Sequence, residues 1–481
     1  MALAMATGVI LVPFYLKFIP LNLYGAWLAS GSMLAWLSTI DPGLTTVLQQ
    51  RVASAYGKRD YQTIRELLGG GLFIAVVVLI SAIVFGFVCA YYLPVWLNLP
   101  SIVDASVVVQ AFFLAVVGTS LMLFSFAISA INQGLQGSLG VGLISNIVVA
   151  LSFALIIVLL YKGFGLFAIA IGLIFRGVCH TLGQGIYLLW RLMSEKIGFS
   201  FSFSKVVALM KLLSYTFLGR ASGIIAKNID LIVIARFLGP ETVAILSLTR
   251  KAPDISKGIV DQPVVAFLPA VSHVMGAGEI DKARNVLIRL VRIVLWVLFL
   301  IAGGLIALND DFVRIWVGSH LFAGEAINMI LCGVFLFSVG TICLSYICTA
   351  LGNIKRSSLA SLAQSLLFIP LVIYSTKYLG LFGAVLAPLI AVFAVSIWYF
   401  PRSFSKLLKL SSQDRKEIMF ECFSTLLVIV PLTLGFLWFH PKNWFQFIVL
   451  VATFSFLYAC LIYLVSKNFR SEIRGVVQKL R

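Results

Sequence analysis

Charge is scarce in this chain. Asp, Glu, Lys and Arg fill only 11% of its 481 positions, while apolar side chains fill 61%. An ordinary soluble domain carries about 25% charged residues, so there is too little polar surface here to wrap a water-soluble globule. Long polar stretches are missing too, which leaves no room for a sizeable soluble domain. Only four histidines occur and no C-x-x-C pair, so neither a zinc site nor a dithiol redox motif is expected. The seven cysteines, Cys89, Cys179, Cys332, Cys343, Cys348, Cys422 and Cys460, lie in or beside apolar runs and read as small packing residues. A cationic leader with a small-residue cleavage site is also absent, so the first apolar run is expected to be retained unless its true start was trimmed.

What is present is a succession of apolar runs, each of roughly 17 to 25 residues, enough for a helix to cross a hydrocarbon slab of about 30 Å. Mean hydropathy is +1.06. The runs predict an all-α polytopic membrane protein of about fourteen spans. They divide into a six-helix lobe at 1–195, a linker at 196–211, a second six-helix lobe at 212–401, a linker at 402–418, a helix pair at 419–466 and a basic tail at 467–481.

The formal charge of +18 could suggest nucleic acid, but the basic residues are scattered over short loops, so no nucleic-acid partner is expected. Their placement reports topology instead. Loops after even-numbered spans, with the tail, hold about 24 Lys and Arg, among them Arg51, Lys58, Lys211, Arg284, Arg402 and Arg470, against 5 in the other loops. The positive-inside rule then puts both termini in the cytoplasm, with the chain in a bacterial inner membrane.

A shift of 219 or 220 residues brings the sequence into register with itself. Gly57 and Arg65 fall on Gly276 and Arg284, Trp96 on Trp316, and Ser125 on Ser345. At a slightly shorter shift, GLFAIAIGL from Gly165 matches GLFGAVLAPL from Gly380. Spans one to six thus recur as seven to twelve. Six is even, so the repeats run parallel and relate by a pseudo-two-fold axis along the membrane normal, an arrangement used by transporters that rock around a central cavity.

Charges also occur where lipid disfavours them. Span seven, 212–238, carries Arg220, Lys227, Asp230 and Arg236, and span eight, 242–270, carries Arg250, Lys251, Asp254, Lys257 and Asp261. A charge at a helix centre costs about 2.5–3.5 kcal/mol even on lenient insertion scales, so these side chains must line a cavity or pair. Arg250, Asp254, Lys257 and Asp261 follow one another at four, three and four residues and form one stripe of alternating sign. Ion pairs joining two helices would explain the alternation, with Arg236 snorkelling to the outer interface, but not the surplus of six basic over three acidic residues. The surplus favours a wet, net-cationic cavity. Arg176, His180 and Gln184 share a face of span six, and Asp41, ahead of Pro42 and Gly43, interrupts span two and maps onto Asp261. His180 reads more readily as a packed, hydrogen-bonded residue than as a proton relay, and Pro42 with Gly43 as a kink.

The stretch YGAWLASGSMLAWLSTIDPGLTTVLQQRVASAYGKRD, the loop AGEIDKARNVL and the WVG at 316–318 resemble polysaccharide-unit flippases of the Wzx type. These belong to the multidrug, oligosaccharidyl-lipid and polysaccharide exporter superfamily. The resemblance implies a V-shaped two-lobed bundle that moves an undecaprenyl-pyrophosphate-linked oligosaccharide to the periplasmic leaflet by alternating access, for O-antigen, capsule or exopolysaccharide export. It implies a lipid-linked anionic oligosaccharide, membrane lipids and the polysaccharide polymerase machinery as partners, no cofactor or metal, and coupling to a proton or sodium ion. Arg220, Lys227, Arg250, Lys257, Lys251 and Arg176 are the candidates for compensating the pyrophosphate. Asp41, Asp230, Asp254 and Asp261 are the candidates for ion coupling or for setting helix geometry. The chain departs from the family in its abrupt start, without the short arm usual before the first span.

A drug exporter of the same superfamily would need an acidic cavity for cationic drugs. A membrane polymerase or ligase would need a large external loop with catalytic residues. The longest external loop expected here, 309–325, holds Asp310, Asp311, Arg314, His320 and Glu325 and is too short for a domain, so no enzyme is expected.

Overall fold

The computed structural model describes residues 2–41, 43–99, 104–204, 206–211, 213, 228–276 and 280–480. All regular structure among them is helical. Nine helices among the described residues are long and apolar enough to cross a bilayer, with 354–407 counted as one run of 54 residues. A helix of that length extends about 80 Å, more than twice the hydrocarbon thickness, so the run represents two crossings. The protein is therefore a multi-pass membrane protein. The chain forms two compact units, Met1–Ala244 and Ile245–Arg481.

Unit one contains α1 (Ala2–Phe18), α2 (Leu21–Leu37), α3 (Leu44–Gly57), α4 (Tyr61–Leu97), α5 (Ala105–Gly134), α6 (Ser138–Tyr161), α7 (Leu166–Ser194) and α8 (Asp230–Leu238). Side-chain caps begin the long helices. Asp60 accepts from Thr63 N at 3.0 Å to start α4, and Asp104 accepts from Ser106 N at 3.0 Å to start α5. The Ser106 hydrogen bonds hold the Asp104 carboxyl below the usual carboxylate range. α5 packs most extensively against α7. A Cβ on Gly118 would lie 2.6 Å from Ile174 N, so only glycine lets these two backbones meet. In lipid such close packing, rather than expulsion of water, supplies the attraction between helices.

Unit two begins inside α9 (Pro240–Thr249) and continues with α10 (Lys251–Gly276), α11 (Ile280–Trp316), α12 (Glu325–Ala350), α13 (Ile354–Ala391), α14 (Ile397–Leu407), α15 (Ser412–Phe436), α16 (Trp444–Val465) and α17 (Lys467–Leu480). A π-helical turn at Val392–Ser396 joins α13 to α14. Val260 and Val264 of α10 interlock with Leu298 of α11 and with Phe335, Val339 and Cys343 of α12. The C-terminal pair, α15 and α16, packs Ile429, Phe436 and Phe454 against Trp296, Phe299 and Leu308 of α11.

The duplication is visible in the backbone. α4 and α11 both have 37 residues and are offset by 219 positions at both ends. Gly165, just before α7, has φ 52° and ψ −126°, while Gly380, inside α13, has φ 61° and ψ −143°. Both are left-handed positions that an L side chain resists, and each separates the last two spans of its repeat.

Two expected details differ. Span two, 24–49, is not continuous, since α2 ends at Leu37 and α3 starts at Leu44. The external loop expected at 309–325 begins later, because α11 runs on through Asp310, Asp311 and Arg314 to Trp316. The Asp311 side chain is buried, bonded by Arg314 Nη2, which also donates to Pro441 O at 2.9 Å. This pairing lets charged residues stay helical. The basic tail is helical over Lys467–Leu480.

Candidate functional site

Among the described residues, expected spans two and eight are crossings made of two shorter helices, α2 with α3 and α9 with α10. They occupy corresponding places in the two repeats. Broken helices in corresponding spans of duplicated halves point to where transporters bind their cargo.

In unit one the interruption lies between α2 and α3. Asp41 Oδ1 accepts from Gly43 N at 3.0 Å and Leu44 N at 2.8 Å, so the carboxyl caps the start of α3. Thr45 Oγ1 approaches its other oxygen at 3.4 Å. Asp41 is thus engaged by the backbone it interrupts.

In unit two the interruption is at Arg250, between α9 and α10. Its cause is Pro253, which lacks the N–H that would reach the Thr249 carbonyl. Asn309 of α11 supplies the missing donor, its Nδ2 lying 3.0 Å from Thr249 O. The same nitrogen is 2.8 Å from Asn328 Oδ1 on α12, and Thr249 Oγ1 accepts from Ala323 N at 2.9 Å. Thr249, Asn309 and Asn328 are all buried. Buried amides that satisfy a broken helix fix its geometry, since leaving such groups unpaired costs about 1–3 kcal/mol each.

Arg250 Nε pairs with Asp254 Oδ2 at 3.2 Å, the side chains being 26% and 56% exposed. The pair is therefore not enclosed by protein. Lys251, Lys257 and Asp261 are half-buried farther along α10, and Lys257 and Asp261 lie close enough to Cys343 of α12 to act on it electrostatically. By their spacing Arg250, Asp254, Lys257 and Asp261, two basic and two acidic side chains, share one face of this helical segment, and Lys251 lies beside it. Asp230 is half-buried at the first position of α8. Arg236 donates from Nη1 to Val95 O at 2.9 Å, so it ties α8 to the end of α4. Arg220 and Lys227 lie outside the described residues.

On α7 the three residues read as one face have separate surroundings. Buried His180 bridges Ser125 of α5 at 2.8 Å and Ser145 of α6 at 3.0 Å. Gln184 receives Asn132 Nδ2 at 3.0 Å on its backbone oxygen and donates to Val141 O at 3.3 Å. Both belong to the α5–α6–α7 seam. Arg176 is half-buried, and its Nε is shielded without a hydrogen-bond partner among the described residues. The amides of Asn309 and Asn328 were not visible as site residues in the sequence. The only signal available was Pro253, which announces an orphaned carbonyl but not its partner. Among the described residues no three His, Cys, Asp or Glu side chains gather as a metal site.

A family profile, Lipid II flippase MurJ, matches residues 136–458, about two thirds of the chain. The chain belongs to the MurJ family. Among solved structures, the lipid II flippase MurJ in an inward closed conformation matches with a TM-score of 0.63 and 15% identity, covering 92% of this chain and 96% of that one. An inward-facing multidrug resistance MATE family transporter of the MOP superfamily matches with a TM-score of 0.62 and 14% identity, covering 83% and 99%. Its outward-facing counterpart gives 0.57 and 13%, covering 85% and 94%. At such identities the structural likeness is one of fold. No curated protein sequence matches the chain. The expected likeness to superfamily flippases holds, and the family it reaches is MurJ. MurJ flippases and MATE proteins are transporters rather than catalysts.

Proposed function

We propose that this protein carries an undecaprenyl-pyrophosphate-linked oligosaccharide repeat unit from the cytoplasmic to the periplasmic leaflet of a bacterial inner membrane, by alternating access, for O-antigen, capsule or exopolysaccharide export. The observation that carries this is the group of charges at the α9–α10 break, where Arg250, Lys251 and Lys257 outnumber Asp254 and Asp261 and the Arg250–Asp254 pair is not enclosed. Arg220, Lys227, Arg250, Lys251, Lys257 and Arg176 replace part of the hydration that a pyrophosphate loses on entering a low-dielectric slab. Asp230, Asp254 and Asp261 hold the helix geometry, and one of them takes up the coupling proton or sodium ion, while Asp41 caps α3. Both termini are cytoplasmic, 196–211 links two six-helix lobes, and the polymerase machinery receives the product.

A second reading, lipid II as the cargo, is favoured by the family matched over 136–458. A multidrug antiporter is disfavoured by the basic surplus, because cationic drugs call for the opposite charge. Deleting the gene and asking which lipid-linked intermediate builds up, and on which leaflet, separates these readings. Cytoplasmic build-up of an oligosaccharide-linked lipid supports the proposal. Build-up of lipid II supports the second reading, and periplasmic build-up of either lipid overturns both.

A further inference from the structure

Unit one has a cavity at the foot of α3 and α4, at the end of α3 opposite to the Asp41 break. It encloses about 610 Å³ and is lined by Arg51, Ser54, Lys58, Asp60, Thr63 and Lys211. Arg51, Ser54 and Lys58 are spaced three and four residues apart, which sets them on one face of α3. Asp60 is partly engaged by its cap, receiving Thr63 N at 3.0 Å and Thr63 Oγ1 at 2.6 Å. Three cationic side chains therefore share the cavity with one carboxyl.

The far wall is the connector at 196–211, which is helical at 203–204 and 206–211. It is fastened to α4. Ser200 N donates to Arg65 O at 3.4 Å, and the Ser200 carbonyl lies so close to Gly69 that a Cβ there would overlap it. Phe201 packs edge-on to Phe73, with ring centres 5.7 Å apart. Yet Phe199, Phe201 and Phe203 are all more than half exposed, alternating with Ser200 and Ser202, and Val207 and Met210 beside them are exposed too. A row of open aromatic rings on the same connector as Leu209 and Lys211, which line the basic cavity, suits the boundary between headgroups and acyl chains. The level agrees: the apolar run of α4 begins near Leu67, one helical turn beyond Thr63.

We infer that this cavity binds the phosphate of an anionic phospholipid, of the phosphatidylglycerol type, between Arg51, Lys58 and Lys211, with the acyl chains lying along Phe199, Phe201 and Phe203. The bound lipid pins the connector to the membrane surface. Free phosphate would satisfy the cations but leave the aromatic row without a role. The identity of the cargo does not enter, and only the leaflet concerned rests on the topology in the proposed function.

The test uses the purified full chain in neutral detergent, titrated with dioctanoyl phosphatidylglycerol or dioctanoyl phosphatidylcholine and read by native mass spectrometry. The expected result is selective binding of phosphatidylglycerol, weakened roughly 30-fold in an Arg51→Gln/Lys58→Gln variant, given about tenfold per 1.4 kcal/mol and about 1 kcal/mol per basic residue near a membrane surface. A control, Lys406→Gln/Lys409→Gln, removes two exposed charges from unit two and is expected to bind as the parent does. Arg51 and Lys58 are themselves exposed, so their replacement leaves lipid-free thermal unfolding unchanged. Phe199→Ser/Phe203→Ser is expected to weaken phosphatidylglycerol binding without touching the cations. Equal binding of the two lipids, equal loss in the control, or displacement by millimolar inorganic phosphate would each overturn the inference. So would full binding by the Phe199→Ser/Phe203→Ser variant.

Discussion

Trp296 Nε1 of α11 donates to Glu421 Oε2 of α15 at 3.1 Å, and both side chains are enclosed, Glu421 completely. Ser466 Oγ at 2.8 Å and Asn468 Nδ2 at 2.7 Å also donate to this carboxyl, and Tyr458 OH donates to Trp296 O at 2.9 Å. One acidic side chain thus fastens the C-terminal helix pair and the start of α17 to the body of unit two. Replacing Glu421 with Ala strands three donors, at about 1–3 kcal/mol for each buried group left unpaired. The expected result is a marked fall in the thermal unfolding midpoint in detergent, with Glu421→Gln falling much less. An Ala variant as stable as the parent would contradict this fastening.

The Arg250–Asp254 pair offers a way to separate geometry from cargo binding. Arg250→Ala is expected to abolish transport, scored as surface polysaccharide, while the protein still inserts, and Arg250→Lys to keep part of it. The exchange Arg250→Asp/Asp254→Arg restores an ion pair but moves the cation one helical turn. Transport is expected to stay lost. Recovery in the exchanged protein would make the pair purely structural and remove the main support for a cationic path.

Asp41 makes a different prediction because one of its oxygens accepts from two backbone N–H groups. Asn keeps a capping oxygen, so Asp41→Asn is expected to transport normally and unfold as the parent does. Asp41→Ala should lose about 1 kcal/mol of helix stability. Loss of transport in a stable Asn variant would return Asp41 to the list of coupling carboxyls.

Glycines on α5 and α7 should tolerate change very differently. Gly118→Ala drives a methyl group into the backbone of α7 and is expected to prevent accumulation of folded protein in membranes. Gly185 has open space where a Cβ would go, so Gly185→Ala is expected to be neutral or to stabilise by up to about 1 kcal/mol through helix propensity. Immunoblots of membrane fractions and thermal unfolding of the purified variants distinguish the two.

Much of the fold was legible because lipid enforces simple rules: apolar runs had to be helices, and a duplicated chain repeats its turns, as Gly165 and Gly380 do. Helix ends were less legible. Asn309, Asp310 and Asp311 looked like the start of a loop, but Arg314, itself held by Pro441 O from far along the chain, satisfies Asp311 and α11 continues. The site divided along the same line. Arg250, Lys251, Asp254, Lys257 and Asp261 stood out as charges in an apolar context, and local spacing sufficed to align all of them but Lys251. Glu421 did not stand out, because it sits near the polar start of α15 and its partners come from two other helices. His180 and Arg236 needed the structure as well, since a hydrogen bond to Ser145 or to Val95 O leaves no periodic trace.

The joint at Arg250 keeps most of its ladder, since Arg250 N reaches Leu246 O at 2.8 Å and Asp254 N reaches Arg250 O at 3.0 Å. Proline has deleted one rung, and an amide borrowed from α11 stands in for it. The attitude of the charges on α10 is therefore set in part by a neighbour, and a substitution at position 309 reaches them without altering any of them.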